Sequence, residues 1–330
     1  VSRPPLDPER REFLARGLKA AAALAATGLA GHALGWRTGR ADREEVHDWP
    51  VPDFSQPAAD PRLAIVTGPD RTTNLRKAME ALGGWARFVK PGDGVLLKVN
   101  AAFASPATLG ATTHPDLVAE AVAQCLRAGA SRVVVTDHPI HDQASCFEWS
   151  GIGAAARRAG AELWVPREDD FAPVTLPGGR LLRHWPFLKG PFKGIRRLIG
   201  LTPVKDHYRS GASLTLKNWY GLLGGRRSVF HQDIHTLIAE LAQLVRPTLV
   251  ILDGTTTMIR NGPTGGSLAD LKATDTLVVG TDPVAVDAFG VTLLGREASD
   301  LPHLARAAAA GAGTASYELL NPVRIQAGAS

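Results

Sequence analysis

Cysteine is nearly missing from this chain: Cys125 and Cys146 are the two in 330 residues. Two thiolates cannot supply the four that a typical iron–sulfur cluster takes, nor can they build a disulfide framework. One bridge between them and two separate buried thiols both stay open. Cys125 shares a helical face with Val118, Ala121 and Val122, as a buried thiol would. Long apolar runs are also scarce. The longest candidate, residues 20–34, is about 15 residues, short of the roughly 20 a membrane-spanning helix needs, and no later segment does better. Phosphate-loop and dinucleotide signatures are absent. The glycine clusters Gly224-Gly225 and 261–266 lack the Lys-Ser/Thr that closes a phosphate loop, so no nucleotide cofactor is expected. Acid is almost missing from 180–230, where eleven Lys and Arg face the single carboxylate Asp206.

What is present begins with Arg10-Arg11 ahead of the apolar run, which reads as a twin-arginine export signal. It implies delivery of folded protein by the twin-arginine translocase to the periplasm or an equivalent space outside the cytoplasm. Gly31 and Ala33 supply small residues for cleavage after Ala33, but no Ala-x-Ala stands there, so an uncleaved tether stays open. The expected organisation is a signal or tether over 1–35, a linker over 36–61, and a single domain over 62–330 with an insertion at about 170–200. The composition, 45% hydrophobic and 21% charged, suits a soluble domain with a sizeable core. The net charge of +5 conceals the basic middle segment. That segment should attract an anion: a small-molecule carboxylate or phosphate, a membrane surface, or an acidic redox partner protein. Nucleic acid is disfavoured by the exported compartment.

Short Val/Ile/Leu-rich runs at 63–66, 95–99, 132–136, 162–165, 248–252 and 276–279 predict strands. Helical spacing at 74–82, 115–128, 152–159 and 231–245 alternates with them. This pattern predicts an α/β fold: a mostly parallel, doubly wound sheet with helices on both faces. Runs such as 132–136 lack polar alternation, as strands covered on both sides should. Residues 173–200, broken by Pro and Gly, predict an inserted hairpin followed by an irregular basic excursion. No internal repeat is present.

Polar residues recur just after predicted strands: Lys98 and Asn100, Asp137 and His138, Asp253, and Asp282. In open α/β sheets the carboxyl ends of parallel strands converge on one crevice, which makes these a candidate cleft. Thr113 and Asp282 each precede a proline-started helix and suit capping or anion capture there. A second group comprises Lys205, His207, Lys217, Asn218 and Asn261. Lysines and amides of this kind hold anions, and a buried lysine acts as a base. Proton-moving roles are expected for Asp137, His207, Lys217 and Asp253, and ligand-binding roles for Lys98, Asn100, Thr113, His138, Lys205, Asn218, Asn261 and Asp282. His231 and His235, four apart, would share a helix face and could ligate a divalent metal with a carboxylate.

The segments Leu97-Lys-Val-Asn100, Thr113-His-Pro115, Leu216-Lys-Asn218 with Gly221, His231-Gln-Asp-Ile-His235, Leu252-Asp-Gly254 and Gly280-Thr-Asp-Pro-Val-Ala-Val-Asp287 stand in one order. Together with Asn261-Gly-Pro-Thr-Gly-Gly266 they resemble the bacterial and archaeal family called domain of unknown function 362. The likeness runs from about 63 to 313. Many relatives carry a ferredoxin-like extension with cysteine-rich motifs, which implies a place near redox chemistry. This sequence departs from that pattern, so the resemblance implies no in-built cluster and assigns any redox role to a partner or a non-sulfur metal. Two functional expectations follow. One is an exported enzyme, metal-dependent or redox-associated, acting on an anionic small molecule. The other is a non-catalytic accessory protein that docks through its basic segment.

Overall fold

The computed structural model describes residues 7, 12–13, 15–27 and 47–328. The chain divides into a unit over residues 1–47 and a unit over residues 48–330. In the first, residues 15–27 are helical and exposed. Among the described residues no helix is long and apolar enough to cross a membrane. Arg10-Arg11 and the region around Ala33 lie outside the described residues.

The second unit is built on a twisted sheet of eight strands in the order β11-β1-β10-β9-β7-β2-β3-β4. These are β1 (Leu63–Thr67), β2 (Gly94–Lys98), β3 (Arg132–Thr136), β4 (Glu162–Trp164), β7 (Arg197–His207), β9 (Leu249–Met258), β10 (Leu271–Gly280) and β11 (Val323–Gln326). Short β8 (Gly211–Ser213) pairs antiparallel with the end of β7, and β5 (Phe171–Val174) with β6 (Trp185–Leu188) forms the inserted hairpin. From β4 through β9 every neighbouring pair is parallel. Only β10 runs against both its neighbours.

Alternate residues of each central strand feed opposite cores. Leu96, Val134, Leu198 and Leu252 face one side, while Val95, Leu97, Val135 and Ile251 face the other. Helices Arg71–Ala81, Pro115–Arg127 and Ile152–Arg158 cover the second face; Ile234–Leu244, Pro283–Gly290 and Pro302–Ala309 cover the first. Burial on both faces explains why these strands read as unbroken apolar runs.

The strands differ from the expectation in two ways. β7, a central strand, begins at the end of the segment expected to be an irregular basic excursion and runs on through residues where no strand was expected. Arg196-Arg197, Gly200, Pro203 and Lys205 interrupt its apolar pattern. Gly200 is needed because a Cβ there would meet the Trp219 ring at 2.8 Å. Pro203 falls at the irregular end of the β7–β9 register, where a missing N–H is tolerated. The second difference is that β9 and β10 are each ten residues long, because their threonine-rich outer halves extend the pairing beyond the apolar runs.

Residues 48–61, within the expected linker, have no regular element yet lie docked on the domain. Trp49 N–H donates to Pro173 O at 2.7 Å, Phe54 N–H donates to Arg246 O at 2.9 Å, and the Phe54 ring is buried.

Candidate active site

After β2 the chain crosses by Pro115–Arg127 on one face of the sheet, whereas after β7 it crosses by Ile234–Leu244 on the other. Adjacent β2 and β7 therefore form a switch point, where loops part and leave a crevice. A cleft of about 530 Å³ opens there. Its base is polar and shut from water. Lys98, at the end of β2, is fully buried with its Nζ 2.6 Å from Asp137 Oδ1, just past β3. Lys98 Nζ also donates to Val99 O (2.6 Å) and to Asn218 Oδ1 (3.1 Å). Asp137 is fully engaged: Ala101 N–H donates to Oδ2 at 2.6 Å and His138 N–H to Oδ1 at 2.9 Å.

Three more cations surround this pair. Lys205 on β7 donates to Asn100 Oδ1 (3.2 Å) and Ala111 O (2.6 Å). Burial and the charge of Lys217 pull its pKa down to about 7. Lys217 projects from the short helix Thr215–Asn218, half-buried, its pKa lowered to about 8 by burial and by Arg227. Its Nζ sits 5.2 Å from the Tyr220 ring centroid and has no hydrogen-bond or ion-pair partner among the described residues. Arg227 is buried and committed to carbonyls, donating to Tyr220 O and Leu223 O (3.2 Å each), His138 O (2.6 Å) and Pro139 O (2.9 Å).

Imidazoles complete the wall, each kept neutral by burial. His207, pushed down to about 2 by burial and then by Lys217, accepts at Nδ1 from the amides of Arg209 and Ser210 (3.2 Å each), so Nε2 carries its proton. His138 is the reverse. Its Nδ1 donates to Leu223 O at 2.9 Å, leaving Nε2 as an acceptor, and burial lowers its pKa. His231 Nδ1 lies 3.2 Å from both Tyr220 Oη and Ser228 O. The cleft thus gathers four basic side chains around one already paired carboxylate.

Of the residues expected at a common site, Lys98, Asn100, Asp137, His138, Lys205, His207, Lys217, Asn218, His231 and Asn261 line this cleft. Thr113 stands behind it, accepting from Asn100 N–H (2.8 Å) and donating to Leu201 O (2.9 Å), so it pins Asn100 rather than touching a ligand. Asp253 pairs with Arg71 at 3.0 Å and lines a neighbouring groove with His114. Asp282 follows antiparallel β10, whose carboxyl end lies at the opposite end of the strands from the cleft. There it caps Pro283–Gly290 and lies 3.5 Å from Arg62.

The His231/His235 ligand pair does not form. His231 lies in the 3-10 segment Arg227–Asp233 and His235 in the α-helix that starts at Ile234, so four-residue spacing no longer places both on one face. His235 instead meets His303, Nδ1 to Nδ1 at 3.0 Å. Among the described residues no cluster of three or more His, Cys, Asp or Glu is arranged to hold a metal. The cleft's excess of cations does not suit a divalent cation either. Cys125 and Cys146 are both free and buried.

A family model described as domain of unknown function (DUF362) matches residues 95–292. The chain belongs to that family. It is also similar to a thylakoid-associated protein of Synechocystis sp., 26% identical over 269 residues, which cover 76% of this chain and 78% of that protein. The DUF362 span contains every residue lining the cleft, from Lys98 to Thr264.

Several cleft residues escaped the sequence reading. Phe103, Tyr208 and Tyr220 carry no spacing signal, and nothing in Arg226-Arg227 tells the exposed guanidinium from the buried one. Gly221 did have a signal, its place after Leu216-Lys-Asn218. A Cβ there would lie 2.1 Å from Asp137 Oδ1 and 2.8 Å from Lys98 Nζ, so the backbone must pass this ion pair bare.

Proposed function

We propose that this protein is an exported enzyme that binds an anionic small molecule in the β2/β7 cleft and moves a proton there. The observation that carries the reading is Lys217: a cation with no anionic partner, beside Lys98, Lys205 and Arg227, in a hollow with one neutralised carboxylate. Unpaired charge in a low-dielectric hollow is unfavourable until a counter-ion arrives. In this reading Lys217 holds a carboxylate or phosphate oxygen, and the His207 Nε2–H donates a second hydrogen bond. Lys205, titrating near neutrality, and His138 Nε2, an acceptor, are the proton carriers. Asp137 keeps Lys98 charged and in place.

The accessory-protein reading is weaker, because the basic segment does not form one surface array. Lys205, Lys217 and Arg227 turn inward, Arg180 pairs with Asp233, and Arg197 pairs with Asp93. Export is supported by Arg10-Arg11 with its apolar run, and by the thylakoid association of the Synechocystis relative. Export is tested by replacing both arginines with lysine: retention of the protein in the cytoplasm supports it, and undiminished export removes it.

The binding claim is tested by thermal shift of the full chain with inorganic phosphate and small carboxylates, against Lys217→Met. Anion-dependent stabilisation of the wild type alone supports the site. Equal shifts in both proteins, or none in either, reject it.

A further inference from the structure

Rings and cations alternate around the cleft. Six cation–π contacts occur among the described residues. Four of the six involve cleft-lining rings: Lys205 over Phe103 (5.4 Å), Lys217 over Tyr220 (5.2 Å), Arg227 over Tyr220 (5.7 Å) and Arg209 over Tyr208 (5.5 Å). Such contacts occur roughly once per 70–80 residues, so a whole domain's usual number is spent at one place. Three of the wall rings are nearly parallel. His207 stacks on Tyr208 with 4° between planes and lies 11° from parallel to His231.

The mouth is unusual in a different way. Tyr208 is 73% exposed and Ile140 is 60% exposed, and both line the cleft. Neither side chain is buried in the domain, so the fold does not account for their placement. A bare anion such as phosphate would use the inner cations and leave this apolar rim in water.

We infer that the ligand is an aryl anion, a planar aromatic ring bearing a carboxylate or phosphate; this rests on the anion-binding reading of the same cleft. The anionic group meets Lys217 and the His207 Nε2–H. The ring lies against Phe103, Tyr208 and Tyr220, and its face also attracts the neighbouring ammonium groups. One lining therefore recognises charge and ring together.

The test is calorimetric titration of the full chain with two matched pairs: phenyl phosphate against cyclohexyl phosphate, and benzoate against cyclohexanecarboxylate. Each pair holds charge constant and removes only aromaticity. At least one aryl member should bind tighter than its saturated partner by about fivefold or more, the scale of one aromatic contact. Whichever pair shows it distinguishes a phosphate from a carboxylate ligand. Tyr208→Ser should reduce that ratio towards one while leaving the saturated anion's affinity in place. The residue is exposed, so the variant is expected to fold, and Phe103→Leu serves as a second probe. Saturated and aryl anions binding equally, or a ratio untouched by both variants, overturns the aryl inference and leaves the anion site standing. No binding by any of the four defeats the underlying reading as well.

Discussion

Lys98 and Asp137 meet at 2.6 Å where β2 and β3 end side by side, and neither side chain is open to solvent. A buried pair of this kind is asymmetric in its energetics, since removing one partner strands the other. Asp137→Asn should destabilise the domain by about 3–5 kcal/mol, with Lys98→Met in the same background recovering part of the loss. Denaturant titration checks both. Gly221→Ala should mimic the defect, because its new methyl would occupy the space of the Asp137 carboxylate.

Ligand affinity should depend on pH through the two lysines that titrate low. Lys205, at about 7, is already losing its charge at neutrality, whereas Lys217, at about 8, loses its charge within the alkaline range, so the fall in anion affinity as pH rises through 8 and 9 belongs to Lys217. Lys217→Met should bind weakly throughout and show no such fall. Titration calorimetry between pH 6 and 10 separates the two outcomes.

Stability should move the opposite way. An ordinary lysine titrates near 10.4, but burial holds native Lys205 at about 7. Between about pH 7 and 10 the unfolded chain therefore binds one more proton at this position, and the Lys205 contribution to stability rises with pH. The difference in unfolding free energy between wild type and Lys205→Met should slope upward across that window and flatten below it. A flat difference from pH 7 to 10 would show that Lys205 titrates normally.

Asp287 is distant from the cleft's chemistry but holds its anchor. Its buried carboxylate accepts from Thr215 N–H (2.8 Å), Thr215 Oγ1 (2.5 Å) and Leu216 N–H (3.0 Å), so it caps the short helix that presents Lys217 and Asn218. Burial raises its pKa to about 7 even against these donors. Asp287→Ala leaves the Thr215 and Leu216 amides unpaired, each costing about 1–3 kcal/mol, while the Thr215 hydroxyl keeps Pro283 O at 3.3 Å. The expected result is a loss of several kcal/mol in denaturant titration together with weaker anion binding. Asp287→Asn keeps one oxygen acceptor and should lose less of both.

Much of this was legible in the sequence. Lys98, Asn100, Asp137 and His138 stand at or just past the ends of parallel strands, so the rule that such ends converge found them. Asp282 shows the rule's boundary. It also follows a strand, but β10 is antiparallel, and strand direction is not written in a run such as Leu277-Val-Val279. His231 and His235 failed for a local reason, the change from 3-10 to α-helical winding between them. β7 was hidden because a strand at a switch point carries charge inward: Lys205 and His207 look like surface residues until their neighbours are known. The aromatic wall had no signal at all, since Phe103, Tyr208 and Tyr220 come from two loops and a 3-10 turn joined only by the fold.

The most direct measurement of the central claim is a crystal structure of the full chain grown with selenate, with the anion located by its anomalous scattering. The account predicts an anomalous peak in the β2/β7 cleft, with a selenate oxygen within about 3 Å of Lys217 Nζ, an ordinary charge-assisted contact, and its loss in Lys217→Met. Selenate found only on surface arginines and lysines, with the cleft of the wild type holding none, would contradict it.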